Sequence, residues 1–123
     1  MTQLDARLAE QLDTSLEPHA LQVYPGAAAF AAAGFGFGAT RGGHLACVAT
    51  SYAIGRGSAE VAISTRPTDR GRGLAYAVAA RFMLHSLELG LVPEWNASNP
   101  VSQRLALRLG YRRRGSLEDL LLL

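Results

Sequence analysis

The sequence predicts a single α/β (α+β) domain built on a mixed, mostly antiparallel sheet with at least one parallel strand pair and flanking helices. Two observations carry this. Strand-like segments cluster between Gly34 and Thr65, and from there strand, helix, strand, helix and strand alternate towards the C-terminus. The composition, 49% hydrophobic and 18% charged over 123 residues, suits one compact core, and residues 1–123 are expected to form one domain.

Taken in order, residues 3 to 16 place Leu4, Leu8, Leu12 and Leu16 four apart among polar residues, the pattern of a one-faced amphipathic helix ended by Pro18. An alanine-rich helix is expected from Ala27 to Ala33, stopped by Gly34, with GFGFGAT following as a glycine-softened strand. A turn at Arg41 to Gly43 leads into a partner strand, His44 to Ile54, closed by the GRG turn at 55 to 57. The third strand, Ala59 to Thr65, puts Glu60, Ala62 and Ser64 on one face and Val61, Ile63 and Thr65 on the other. A helix is predicted over Arg72 to Leu89, with Leu74, Val78, Phe82, Met83 and Leu87 as its buried stripe and Gly90 as a left-handed cap. LVPEWNA then reads as a strand. Asn99 and Pro100 open a second core helix whose buried face is Val101, Leu105 and Leu109. Tyr111 to Leu123 ends in LLLL, either a last strand or a segment buried against another subunit.

Charge and composition exclude several functions. The net charge is only +2, so a nucleic-acid partner is not expected, and the RRR run at 112 to 114 has no aromatic residues interleaved for base stacking. All twelve basic residues are arginine, which a GC-rich genome explains as simply as anion recognition does. Cys47 is alone, and the charged N-terminus lacks the apolar run of a signal peptide, so a cytoplasmic location is expected. AAAFAAAGFGF falls well short of the ~20 apolar residues of a membrane span, and no membrane association is expected. His19, His44 and His85 show no ligand spacing, and no metal is expected.

The segment RPTDRGRGLA, between the third strand and the helix after it, has the makings of an anion site. Unpaired backbone N–H groups at a helix N-terminus face a partial positive charge there. Gly71 and Gly73 permit close approach of a phosphate, and Arg66, Arg70 and Arg72 could add charge-assisted hydrogen bonds. A diphosphate would fit; a solvated glycine turn is the plainer alternative. Neither a GxxxxGK[ST] P-loop nor a dinucleotide GxGxxG with its downstream acid is present.

Read as a block, RGRGLA resembles the [QR]xxGx[GA] signature of the GNAT superfamily of acyl-CoA-dependent N-acyltransferases, with Arg70, Gly73 and Ala75 at its fixed positions. From about Phe30 to Tyr111 the chain is similar to the branch that includes the zwittermicin A resistance acetyltransferase. The matching features are a Glu-containing strand, the RGRGLA turn, a PxW strand and NxxS…LGY on the last helix. The resemblance implies acetyl-CoA as cosubstrate, its pantetheine arm lying between two splayed strands against the backbone of Ala62, Ile63 and Ser64. It implies a diphosphate held by Arg70, Gly71, Arg72, Gly73, Leu74 and Ala75. Asn99 and Ser102 match positions near pantetheine, although capping the helix explains Asn99 equally well.

The expected reaction is acetyl transfer to a primary amine of a small molecule by direct attack. An amine with a pKa near ~10 must first lose a proton. Glu60 matches the strand glutamate that several GNAT enzymes use as the base, and partial burial would raise its pKa to suit. A purely structural carboxylate is the alternative. An amide near Ile63 or Ser64 would stabilise the developing oxyanion. Many GNAT enzymes carry a tyrosine that protonates the departing thiolate; the corresponding position here is Ala106, with Tyr76 and Tyr111 as conceivable substitutes. That gap and the short chain admit another reading, a CoA-binding or dimerisation module without turnover. LLLL suggests a homodimer.

Overall fold

The computed structural model describes residues 2–5, 32–55, 57–96, 100–114 and 116–122. Among these residues seven strands form one sheet in the order β1-β2-β3-β4-β5-β7-β6, where β1 is Thr2–Gln3, β2 Gly36–Arg41, β3 His44–Gly55, β4 Ser58–Thr65, β5 Val92–Asn96, β6 Tyr111–Arg114 and β7 Ser116–Leu122. Only β4 and β5 run parallel; every other neighbouring pair is antiparallel. Two α-helices lie wholly within the described residues, α1 (Leu74–Glu88) and α2 (Pro100–Arg108). The mixed, mostly antiparallel sheet with one parallel pair is the architecture that the order of strand and helix patterns predicts.

The glycines of β2 answer to packing. A Cβ on Gly36 would stand 2.8 Å from the carbonyl oxygen of Ala49, so β2 could not lie against β3 with any larger residue there. Beside it, Leu4 is buried and its amide donates to the Gly36 carbonyl. This corrects the start of the first predicted helix: Gln3 belongs to β1, paired with Phe37, and Leu4 and Asp5 are not helical. The rest of that helix, and residues 27–31 of the alanine-rich one, lie outside the described residues. Ala32 and Ala33 are helical, and the helix is over at Gly34 as expected.

α1 joins two core clusters. Val78 and Phe82 pack on Phe35, Phe37, Cys47, Ala49 and Ala59 of the β2–β4 half, with Phe35 stacked on Phe82 at 4.8 Å between ring centroids. Ala79 and Met83 face Trp95, Ala106 and Tyr111 of the other half. Leu87 leaves the predicted stripe and is exposed, whereas Ser86 is fully buried. Ser86 lies four residues from Phe82 and three from Met83, so it continues the inward face, and its hydroxyl is satisfied by the Phe82 carbonyl at 2.8 Å. Gly90, φ +75°, ends α1, and the Leu91 amide reaches back to the Ser86 carbonyl in a Schellman closure. On α2 the buried residue is Ala106, Leu105 and Leu109 are partly covered, and Val101 is 69% exposed, against the predicted burial of that position. The C-terminal alternative resolves into a strand: β6 and β7 pair, and β7 inserts between β5 and β6, so Leu120–Leu122 run within the sheet.

Candidate active site

β4 is an asymmetric strand. Towards β3 its register runs from Gly55↔Ser58 to Cys47↔Thr65, but towards β5 only Ser58↔Val92, Ala59↔Pro93 and Glu60↔Glu94 are paired. β5 then turns its next residues to β7, Trp95 opposite Leu120 and Asn96 opposite Asp119. The two parallel strands therefore part after Glu60 and Glu94, and among the described residues the β5-facing edge of β4 has no strand partner from Val61 onwards. Val61 and Ile63 pack towards the helices, which leaves Glu60, Ala62 and Ser64 on the opposite face, as the alternation predicts.

The gap opens onto the turn that follows β4. A short 3₁₀ segment, Pro67–Asp69, is pinned by the buried Asp69 carboxylate, which accepts from the Arg41 guanidinium at 2.8 Å. Arg66 is committed to the same scaffold, its Nε donating to the Leu45 carbonyl at 2.7 Å. Through Nε it therefore braces the turn, a role that the sequence did not show. Gly71 and Gly73 both adopt left-handed φ, +79° and +74°, and Gly73 is the N-cap of α1, so the helix begins at Leu74 and not at Arg72. A Cβ on either glycine would meet no protein atom within 4 Å: the space beside the backbone is open. The first α-helical bond runs from the Ala77 amide to the Gly73 carbonyl, leaving the amides of Leu74, Ala75 and Tyr76 at the free end.

Turn and gap form one crevice of about 690 Å³, a volume typical of small-ligand sites. Ile63, Ser64, Arg70, Gly71, Arg72, Gly73, Leu74, Ala75 and Ser102 all line it. Ala62 lies one residue beyond its wall, and Glu60 stands further back on β4, where the strands part. Asn99 lies outside the described residues. Ser102 also accepts from the Trp95 indole at 3.2 Å, which ties α2 to β5. An open cradle with left-handed glycines, free helix-end amides and two exposed arginines fits a diphosphate, and the groove along β4 fits an extended arm.

Sequence reasoning missed the α2 wall: Val101, Arg104, Leu105 and Arg108 line the crevice too. The i, i+4 spacing of the two arginines was a legible signal. It also missed Glu94, which only strand register brings beside Glu60. Burial, and secondly the Glu94 charge, push the Glu60 carboxyl above the ordinary carboxylate range. Ala106 faces the core cluster of Trp95 and Tyr111, not the crevice. Tyr111 is fully buried, donates to the Pro93 carbonyl at 2.8 Å and has its pKa raised by burial, so it is a structural residue. Tyr76, 39% exposed, lines the crevice at the cradle. Cys47 is buried with its Sγ 3.1 Å from the Thr65 hydroxyl, and burial raises its thiol pKa. Among the described residues no group of three or more His, Cys, Asp or Glu could hold a metal, and no helix is long and apolar enough to cross a membrane.

Comparison with known proteins agrees with this geometry. A family model described as GNAT acetyltransferase matches residues 1–118. An uncharacterized N-acetyltransferase of Bacillus subtilis (strain 168), YdfB, is 42% identical over 85 residues, 68% of this chain and 33% of that protein. A GCN5-related N-acetyltransferase-like protein from Streptococcus suis 89/1591 superposes with a TM-score of 0.83 at 30% identity, over 97% of this chain and 45% of that one. A Bacillus subtilis acetyltransferase solved in complex with CoA shares the fold at 17% identity and a TM-score of 0.58, over 70% of this chain and 59% of that one. The chain thus spans less than half the length of the first two relatives. With its parted parallel strands, its glycine cradle and a family match along nearly its whole length, the chain belongs to the GNAT acetyltransferase family.

Proposed function

We propose that this chain is an acetyl-CoA-dependent N-acetyltransferase acting on a primary amine of a small molecule by direct attack. The observation that carries the reading is the alignment of the site along one strand: the crevice runs from the cationic cradle at Arg70–Ala75 along β4 as far as Ile63, and Glu60, at the last paired position before the strands part, stands three residues further back on the same strand. The cradle amides and Arg70 and Arg72 would hold the diphosphate, and the β4 backbone at Ala62, Ile63 and Ser64 the pantetheine arm. Bound acetyl-CoA supplies a thioester carbonyl. Glu60 takes the proton from the incoming ammonium, directly or through water, and its raised pKa brings it nearer to the amine it serves. The freed nitrogen forms the C–N bond as the C–S bond breaks, and an amide at Ile63 or Ser64 stabilises charge on the carbonyl oxygen. The acylated nitrogen sheds its second proton, and the departing thiolate, whose thiol has a pKa near the ~8.5 of an ordinary thiol, takes one up in its place through solvent.

The likeness to the zwittermicin A resistance branch belongs to this reading, as do a single domain over residues 1–123 and a cytoplasmic location. So does a homodimer. Leu120–Leu122 lie in β7, and what supports a homodimer instead is the exposed trio of Leu84 and Leu87 on α1 and Leu89 at its C-cap; light scattering tests it.

One observation favours a second reading, a CoA-binding module with little or no turnover. Among the described residues Tyr76 is the one tyrosine lining the crevice, and it sits at the cradle, not where the strands part. Release of free thiol from acetyl-CoA across an amine panel separates the two. We expect Glu60→Gln to lower kcat about 10²–10⁴-fold while CoA affinity stays within about threefold. Tight CoA binding with no turnover on any amine would establish the module instead.

A further inference from the structure

We propose that Arg104 and Arg108 form a second anion site on the α2 wall of the crevice, which takes the ribose 3′-phosphate of coenzyme A. The inference rests on the donor reading above.

Charge in the crevice is the first argument. Among the described residues four arginines line it, Arg70, Arg72, Arg104 and Arg108, against one carboxylate, Asp69. Asp69 is already bound by Arg41 at 2.8 Å, so it neutralises none of the four. Among the described residues the remaining close contacts of opposite charge are His44 with Asp69 and His85 with Glu88, and neither involves α2. A diphosphate in the cradle accounts for Arg70 and Arg72 and leaves the α2 pair without an anion. Coenzyme A carries one further anionic group, a phosphate monoester on the ribose. With a second pKa near ~6, that group bears close to two negative charges at neutral pH.

Geometry is the second argument. Arg104 and Arg108 stand four residues apart, one turn of α2, so both project from the same side of the helix. Both are exposed, and both line the same cavity as the cradle. Arg108 is held in place: its guanidinium carbon lies 5.0 Å from the centre of the Tyr76 ring, and Tyr76 follows Gly73 by three residues in the first turn of α1. A cation held over a ring keeps its charge, and a guanidinium has five N–H donors to offer a phosphate. Position in the last turn of α2 also favours a cation at Arg108. That effect does not extend to Arg104, which lies a full turn earlier.

The test compares coenzyme A with 3′-dephospho-coenzyme A by titration calorimetry at fixed, moderate salt. The wild-type chain should bind coenzyme A at least about tenfold more tightly, as expected for charge-assisted hydrogen bonds to one phosphate. In the double variant Arg104→Gln/Arg108→Gln the two ligands should bind within about twofold of each other, with affinity for the dephospho ligand kept within about threefold. Arg70→Gln/Arg72→Gln should weaken both ligands by a common factor, because both carry the diphosphate. Equal wild-type affinities, or a preference that survives loss of both α2 arginines, would overturn the assignment. Failure of the wild type to bind either ligand would overturn the donor reading beneath it, and this one with it.

Discussion

The two edges of β4 differ in a way that separates folding from chemistry. On one edge the strand is paired with β3 along its whole length, and the β3 residues opposite its second half, Cys47 to Ser51, are fully buried. On the other it pairs with β5 for three residues and then stands free. The first edge needs close approach and good packing; the second needs exposed backbone groups and a charge pair. A strand asked to do both must concentrate its stability on one side, and here the core cluster under α1 lies on the β3 side. The parting of the strands is thus possible because β4 does not rely on β5 to stay in place.

The largest effect that would break this comparison is removal of the core beneath the β3 edge. Phe82 is fully buried and stacked on Phe35, so Phe82→Ala should cost about 3–5 kcal/mol of stability in urea unfolding. CoA affinity of the remaining folded molecules should hold within about threefold. A parallel collapse of affinity would mean that the two edges are not independent.

A smaller effect is expected at the short parallel pair. The Tyr111 hydroxyl donates to the carbonyl of Pro93, the residue of β5 paired with Ala59. Tyr111→Phe withdraws a buried donor from that carbonyl at a cost of about 1–3 kcal/mol. Because the bond sits on the β5 side, amide exchange should quicken in β5 and β6 well before β3. Uniform acceleration across the sheet would refute the claim that the β5 edge is the weaker one.

Much of this division was legible in the sequence, and for physical reasons. Turn glycines, alternation in Ala59–Thr65 and the helical stripe through Val78 and Phe82 are local signals, and local sterics enforce them wherever the chain goes. The cradle was legible because a glycine turn ahead of a helix presents its amides whatever packs behind it. What escaped depends on partners distant in sequence. Glu94 stands beside Glu60 through register alone, Arg66 reaches a carbonyl of β3, and Arg104 and Arg108 meet the cradle only because α2 packs next to α1. Leu87 and Val101 misled for the complementary reason: an apolar residue near a stripe is buried only if a neighbour covers it, and neither is covered.

The subtlest test concerns the last paired position before the strands part. Two causes raise the Glu60 pKa, burial first and the Glu94 charge second. Glu94→Gln removes only the second, so the Glu60 carboxyl should titrate at lower pH than in the wild type but still above the ordinary carboxylate value. Carboxyl-carbon NMR reads this directly, and the acid limb of kcat/KM should move the same way. The sign extends to stability. A native pKa above that of the unfolded chain means that the native state holds its proton more tightly, so stability falls as pH rises from the ordinary value through the raised one. Below that window Glu60 is protonated in both states and contributes nothing to the slope. Glu94→Gln should flatten the fall. An unmoved Glu60 titration would show that the two carboxylates, though in register, do not share a field, and that the parting strands leave room for solvent between them.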